Sequence, residues 1–277
     1  MSLLVTNSAD ANHYFKINQR NLQASLKKLS SGKRIINGSE DPGGLAVAMK
    51  LSSSIKRLAA AENNVQNGIS FLEVQDGLLD TVGGIVTRIS ELKGLVSDDP
   101  LKSSSDKESY QAEYVELVGQ LDSIKAMTFN GVTLFDDEDA SNDDENLSIS
   151  IDDSGTNTVT ISLANLGHAD MDTVFFDPSG TANSLENDVT VDEINAALNH
   201  VAKLRGGNGS GQNRLRFIEQ SLSLQKTNMF AALDRLEGID LAEEAANMAK
   251  HSILLQSSAA MVSQANGNRD IALMLLS

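Results

Sequence analysis

Few side chains in this sequence have the types and spacing that chemistry at a site would need. The acidic run Asp136–Glu145 holds seven carboxylates and is the strongest candidate for a divalent-cation site. It lacks the glycine-centred spacing of a calcium loop, so the pattern favours a solvated charged loop. The four histidines form no i, i+4 ligand pair and give no support to a zinc or general-base role: His13, His168, His200 and His251.

The sequence was also compared with the phosphate-binding loops and the nucleophile motifs of enzymes. Residues Gly206–Gly211 read GGNGSG, but no Gly-Lys-Ser/Thr follows and no strand is predicted before them, so a phosphate loop is not supported. No G-x-S-x-G motif occurs, and cysteine is absent, which excludes disulfides, thiolate metal sites and cysteine nucleophiles. The sequence therefore predicts a protein that is not an enzyme, with no catalytic residue, no cofactor and no metal site.

The charge of the chain is concentrated in its middle. No Lys or Arg occurs between Lys125 and Lys203, while that gap holds 16 of the 38 acidic residues. The remainder has 38 − 16 = 22 acids against 22 bases, so the two ends together are neutral and the net charge of −16 belongs to the centre. This distribution argues against nucleic-acid binding, which needs a basic face, and allows the neutral ends to pack closely.

The sequence predicts neither a membrane span nor a cleaved signal peptide. No run of 18 apolar residues occurs, so no membrane span is expected. The first residues, MSLLVTNSADANHYF, have no basic region and only a short apolar patch, so a cleaved secretory signal is not expected.

Apolar periodicity predicts long helices in the first half of the chain. Residues 11–31 form one helix closed by Gly32, and Asp41-Pro42 starts a second that runs to about Val96. The second helix carries a seven-residue apolar repeat, typical of a coiled-coil seam, and its 55 residues would span roughly 80 Å. Ser105 with Glu108 predicts a capping box at the start of a third helix.

The middle of the chain changes to a period of two. Apolar residues alternate over 147–151 and 159–163 around Ser154-Gly155, which predicts a β-hairpin with one buried face. Asn130-Gly131 predicts a turn just before this region.

Helical periodicity resumes after the hairpin. Thr190 with Glu193 caps one helix, Gly238 ends it, and Asp240 starts the last helix. Each interior glycine weakens a helix by about 1 kcal/mol relative to alanine, so we expect a break, bulge or loop within Gly206–Gly211.

Both ends of the chain resemble the bacterial flagellin family. SSGKRIINGSEDPGGLAVAMK and NGISFLEVQDGLL, within residues 30–79, are similar to the family's N-terminal motifs, and FNGVTLF continues the match. LRGGNGSGQNRL, DLAEEAANMAK and SSAAMVSQANGNRDIALMLL resemble its C-terminal motifs in the same order. The resemblance covers roughly residues 1–135 and 190–277, and the short acidic middle indicates a form without large outer domains.

The resemblance implies a mainly α fold, a long antiparallel coiled-coil or helical-bundle rod with a small β-hairpin region inserted in the middle. The implied divisions are an inner-core helix and link at 1–42, rod helices at 43–135, the acidic hairpin region at 136–189, a rod helix at 190–238 and a second inner-core helix at 239–277. Monomeric termini would be poorly ordered, leaving a protease-resistant core of about residues 45–235. The apolar positions expected to form assembly seams are Leu22, Leu26, Leu29, Val65, Leu72, Leu79, Val86, Leu117, Leu121, Leu215, Leu222, Ile253, Leu273 and Leu276.

The function that the resemblance implies is self-assembly into the bacterial flagellar filament for swimming motility. Implied partners are other flagellin subunits, an export chaperone, and cap and junction proteins, with export through the flagellum's own channel. Arg88, Glu91 and Leu92 in TRISEL match a surface that animal innate immune receptors contact in some flagellins, but Gln120 replaces an acidic residue there. These three residues are candidates for a receptor or inter-subunit surface.

Two other functions compete with this one. The hook–filament junction protein has similar ends but does not polymerise extensively. Some flagellins carry a metallopeptidase in the central insert, but here the insert is short and has no H-E-x-x-H motif.

Overall fold

The computed structural model describes residues 2–96, 103–136, 146–167 and 182–274, together with Met171 and Phe175, and gives side chains for residues 10–268 of these. Within these residues the fold is mainly α, with helices α1 (Ser2–Ser31), α2 (Pro42–Val96), α3 (Ser104–Lys125), α4 (Val191–Glu237) and α5 (Leu241–Met274). Short strands lie between α3 and α4: β1 (Thr128–Phe129), β2 (Val132–Thr133), β3 (Phe135–Asp136), β4 (Leu147–Ser150), β5 (Thr158–Ile161) and β6 (Ala164–Asn165). None of the described helices is long and apolar enough to cross a membrane.

The chain divides into two compact units. The first contains Met1–Ile55 and Thr227–Ser277, and the second contains Lys56–Lys226. Nearly all of the buried apolar side chains in the described residues belong to the second unit, and the exceptions are Ile35, Ala48 and Ile55. Hydrophobic burial, which dominates folding free energy, is therefore concentrated in the second unit.

An antiparallel pair of helices, α1 and α5, forms most of the first unit. The Asn18 amide donates to the Leu254 carbonyl at 3.3 Å, and beyond the end of α1 the Arg34 backbone N–H donates to the Glu237 carbonyl at 2.6 Å. α1 ends where predicted, because Gly32 adopts a left-handed φ of 67° that other residues rarely take.

Local capping signals define the other helix ends. The Asp41 carboxylate accepts from the Gly44 backbone N–H at 2.8 Å, and Thr190 and Glu193 form the predicted capping box. The predicted box at Ser105 and Glu108 is wrong, since the structure uses Ser103 and Asp106. Ser103, Ser104 and Ser105 were all possible N-caps. Asp106, at the third helical position, accepts a hydrogen bond from the backbone N–H of Ser103, the role that glutamate has in the usual capping box.

The strands form three small pairs. β1 and β2 join through Asn130 and Gly131, whose φ angles of 52° and 81° fit the tight hairpin turn that Asn-Gly predicts. β4 pairs with β5 in an antiparallel register that sets Leu147 opposite Ile161 and Ile149 opposite Val159, which confirms the predicted hairpin. β3 and β6 pair in parallel.

α4 runs without interruption through Gly206–Gly211, so the predicted break is wrong. The weak intrinsic propensity of this segment is outweighed by contacts with α2. The Asn208 side chain is 6% exposed and donates to the Leu72 carbonyl of α2 at 3.0 Å. A tertiary hydrogen bond in the middle of the glycine run thus supports a helix that local sequence disfavours.

Replacing Gly206, Gly207 and Gly209 together with alanine is expected to raise the free energy of unfolding by about 1 kcal/mol per site. An added Cβ at each of the three meets no atom within 4 Å. Urea unfolding followed by circular dichroism measures the change. Gly211→Ala is the matched control. Its Cβ would lie 3.2 Å from Leu72 Cδ1, so this substitution should raise the free energy of unfolding less than the other three do. Equal gains at all four positions would contradict this explanation.

Candidate assembly surfaces

The predicted seam residues of the second unit pack within the chain itself. On α2, Val65, Leu72, Leu79 and Val86 are at most 2% exposed. Their counterparts on α3 and α4 are also buried or half-buried: Leu117, Leu121, Leu215 and Leu222. These positions were predicted as assembly seams, but in the second unit α2, α3, α4 and the hairpin cover them within the chain.

The seam residues of the first unit remain open to solvent to a much greater degree. Leu22 and Leu29 are half-buried, Leu26 is 47% exposed and Ile253 is 66% exposed. Tyr14 and Met261 add further exposed apolar surface to the same helix pair. The side chain of Leu273 and the whole of Leu276 lie outside the described residues. Large exposed apolar side chains on both helices of the pair make it the candidate protein–protein interface of the first unit.

A polar cluster on α2 and α3 contains two of the three predicted surface residues. The Arg88 guanidinium donates to both carboxylate oxygens of Glu113, at 2.7 and 3.2 Å, and to Glu91 at 2.8 Å. This hydrogen bonding with Glu113 raises the pKa of Arg88 and lowers that of Glu113. The cluster is exposed and offers charged groups for contacts with another molecule.

Leu92 does not belong to that surface. Its side chain is 0% exposed, on a stripe with Ile85, Ile89 and Val96 that faces the interior. The i, i+3 and i+4 spacing of these residues places them on one side of α2, away from Glu91. The prediction of Leu92 as a surface residue is corrected accordingly.

A buried network of side-chain amides connects α2 with α4. Gln75 is 1% exposed, and its amide donates to the Leu134 carbonyl at 2.6 Å. The Gln75 carbonyl oxygen accepts from the Asn208 amide at 3.0 Å, and Gln212 donates to Asn208 at 3.1 Å. Because buried amides need specific partners, this network fixes the axial register of the two helices. Sequence periodicity alone gave no sign of it.

The turn of the β4–β5 hairpin is built on Asp152. Its carboxylate accepts from the backbone N–H groups of Gly155 and Asn157 and from the hydroxyls of Ser154 and Thr156. The turn is joined to α2 because the Arg57 guanidinium donates to the Asp153 carbonyl at 2.5 Å.

These hydrogen bonds, above all that from Ser154, lower the pKa of Asp152 from about 3.8 to about 2. The depressed pKa means that the carboxylate stabilises the hairpin above about pH 4 and loses this effect as the pH falls through 2. A carbon NMR titration of the Asp152 carboxyl should give a midpoint near 2. Ser154→Ala should move that midpoint toward 3.8, and a midpoint that stays unchanged in the variant would contradict the assignment.

The remaining candidates for chemistry stay apart in the fold. His200 contacts the Asn165 carbonyl at 2.9 Å, and His13 packs edge-on against Tyr14. Among the described residues no three His, Asp or Glu side chains come together as metal ligands do. The acidic run beyond Asp136 and His168 lie outside the described residues.

Both ends of the chain match families of known proteins. The family described as bacterial flagellin N-terminal helical region matches residues 5–140, and the bacterial flagellin C-terminal helical region matches residues 191–276. The chain is 32% identical to the flagellar filament 33 kDa core protein of Treponema phagedenis, with 92% of both chains covered. It is 30% identical to the flagellar filament 30.7 kDa core protein of Treponema maltophilum, with 96% of both covered, and 30% identical to flagellin of Bacillus subtilis, with 92% of both covered.

Proposed function

Because this chain belongs to the bacterial flagellin family, it is a structural subunit of the flagellar filament, and we propose that its α1–α5 pair carries the main surface for polymerisation. It polymerises with other flagellin subunits in the filament, outside the cell. The relatives are filament core proteins and flagellins, so the hook–filament junction protein is not favoured.

The proposal rests above all on the exposed apolar surface of α1 and α5. A pair of amphipathic helices on its own buries little apolar surface, and its ordering costs conformational entropy. Packing against neighbouring subunits removes Ile253, Met261 and Tyr14 from water, which offsets that entropy. The ends of the chain are also collectively neutral, so copies meet there without the repulsion that the acidic middle imposes.

Further partners follow from the same role. The exposed Arg88, Glu91 and Glu113 cluster supplies a polar contact between subunits. A chaperone that covers the apolar face of α5 before export, passage through the flagellum's own channel, and contacts with cap and junction proteins complete the proposal. Contact with an animal immune receptor is not part of it, since Leu92 is buried and Gln120 departs from the family motif.

Assembly of the purified full-length chain tests this function directly. Electron microscopy after addition of a precipitant or short filament seeds should show long filaments. Ile253→Ser should raise the critical concentration about tenfold or more, since burial of an isoleucine contributes about 1.5–3 kcal/mol. Gln256→Ser, at another exposed position on α5, is the control and should assemble normally. Absence of filaments from the unmodified chain under all conditions would overturn the proposed function.

A further inference from the structure

We propose that a groove in the second unit receives the exposed Phe217 and Leu224 side chains of a second copy of this chain. The groove has a volume of about 680 Å³ and its apolar lining consists of Phe71, Phe129, Val132, Leu147, Ile149 and Ile161. Phe217 and Leu224 of α4 are called the ridge. The proposal rests on the proposed function, because it names one contact through which filament subunits would meet.

The groove is formed where α2 lies under the two hairpins. Its floor contains Phe71, which is 5% exposed and packs edge-on against Phe129 with ring centroids 6.1 Å apart. Gly68 lets the β4–β5 hairpin pack closely on α2 beside this pair, since a Cβ there would overlap the end of Ile149 and lie 3.2 Å from Ile161 Cδ1. A third aromatic ring entering the groove would add a favourable edge or offset contact to the existing pair.

Among the described residues of the second unit, the ridge holds the two most exposed large apolar side chains. Phe217 is 72% exposed and Leu224 is 63% exposed. They are seven positions apart in the sequence, which places both on one side of α4 about 10 Å apart. The interior of the unit lies on another side of the helix, where Leu215 and Leu222 are buried, so the ridge points away from its own core. Such a pair of anchors suits insertion into an apolar groove.

Charge favours a second copy of this chain as the occupant. Among the described residues, none of those that line the groove is charged, although the chain carries a net charge of −16. Beside the ridge, Arg214 is exposed and has no ion-pair partner among the described residues, and Glu219 is held by the Gln66 amide of its own chain at 2.9 Å. Copies that repel each other elsewhere can therefore approach at these two patches.

The symmetry of a filament requires two different patches. A contact between two identical ridges would be two-fold and would close on itself as a dimer. A ridge that enters a groove leaves one free ridge and one free groove on the pair, so subunits can be added without limit. Each chain carries both halves of this contact within Lys56–Lys226.

Disulfide trapping tests the contact, and the chain suits it because it contains no cysteine. Gln220→Cys places a thiol beside the ridge and Asn67→Cys places one at the rim of the groove, in two separate full-length proteins. An equimolar mixture is assembled under reducing conditions, then oxidised and separated on a non-reducing gel. The expected result is a cross-linked dimer of one copy of each variant, absent from unassembled monomers. Glu116→Cys, exposed on α3, replaces the ridge variant as the matched control.

The outcomes separate this proposal from the proposed function. Filaments that form without a Gln220→Cys/Asn67→Cys cross-link, or that cross-link Gln220→Cys to itself, would overturn the groove contact and leave the filament function intact. Phe217→Ser should raise the critical concentration at least tenfold, and Phe217→Leu should restore much of the loss. Monomer unfolding should be unchanged in Phe217→Ser, because the ring is exposed. Normal assembly of Phe217→Ser would also overturn the proposal.

Discussion

Gln75→Ala is expected to lower the free energy of unfolding by about 3 to 5 kcal/mol. The change removes a buried side chain and leaves a cavity. It also leaves the Leu134 carbonyl and one donor of Asn208 without the partner that Gln75 provides. Urea unfolding of the monomer, followed by circular dichroism, measures the loss.

Gln66→Ala is the matched control for this experiment. It changes the same residue type on the same helix, but Gln66 is exposed and its amide bonds to the surface residue Glu219 at 2.9 Å. A loss below about 0.5 kcal/mol is expected there, as for other surface changes. Combining Gln75→Ala with Asn208→Ala should cost less than the sum of the two single losses, because both belong to one network. Additive losses, or equal losses at Gln66 and Gln75, would show that the buried network does not exist as described.

Mild proteolysis of the monomer should remove both ends and leave a folded fragment of about residues 56–226 that no longer polymerises. The second unit holds nearly all of the buried apolar side chains, so its backbone opens rarely, whereas α1 and α5 bury little and are cut first. Mass spectrometry defines the fragment, and electron microscopy tests its assembly.

Assembled filaments are the control for the digestion. The same protease should leave both ends intact in filaments, because polymerisation buries the apolar faces of α1 and α5. Termini that survive equally well in monomer and filament would contradict the coupling of their order to assembly. A fragment that still forms filaments would show that α1 and α5 are not the main polymerisation surface.

The helix boundaries were predictable because their signals are local. The signals at Asp41-Pro42, Gly32 and Thr190 with Glu193 each act within one turn, through a side chain or a backbone angle. At Gly238 a Cβ would overlap the Asp234 carbonyl, which favours glycine there. The Asn130-Gly131 turn is of the same kind. Two helix starts differ from the prediction. α1 begins at Ser2, earlier than the predicted residue 11, and α3 uses Ser103, one of three consecutive serines that could each have capped it.

Features that depend on distant partners were not predictable from periodicity. The glycine run is helical because Asn208 meets Leu72 and Gln75 of another helix, and Leu92 is buried because its stripe continues through Val96. The apolar spacing identified stripes of apolar residues, but it could not tell which stripes are covered within the chain and which stay exposed to solvent. Leu72 and Ile253 were both predicted as seam positions, and the structure gives them opposite exposure.

The continuous helix through Gly206–Gly211 also has a mechanical consequence. Gly206, Gly207 and Gly209 have no side chains that could resist bending, so we expect this stretch of α4 to bend more easily than the leucine-lined turns beside it. Its resistance comes instead from the Asn208 amide held by Gln75 and the Leu72 carbonyl on α2. When a rotating filament flexes, elastic strain will collect in this stretch, and its stiffness will be set by residues of a different helix.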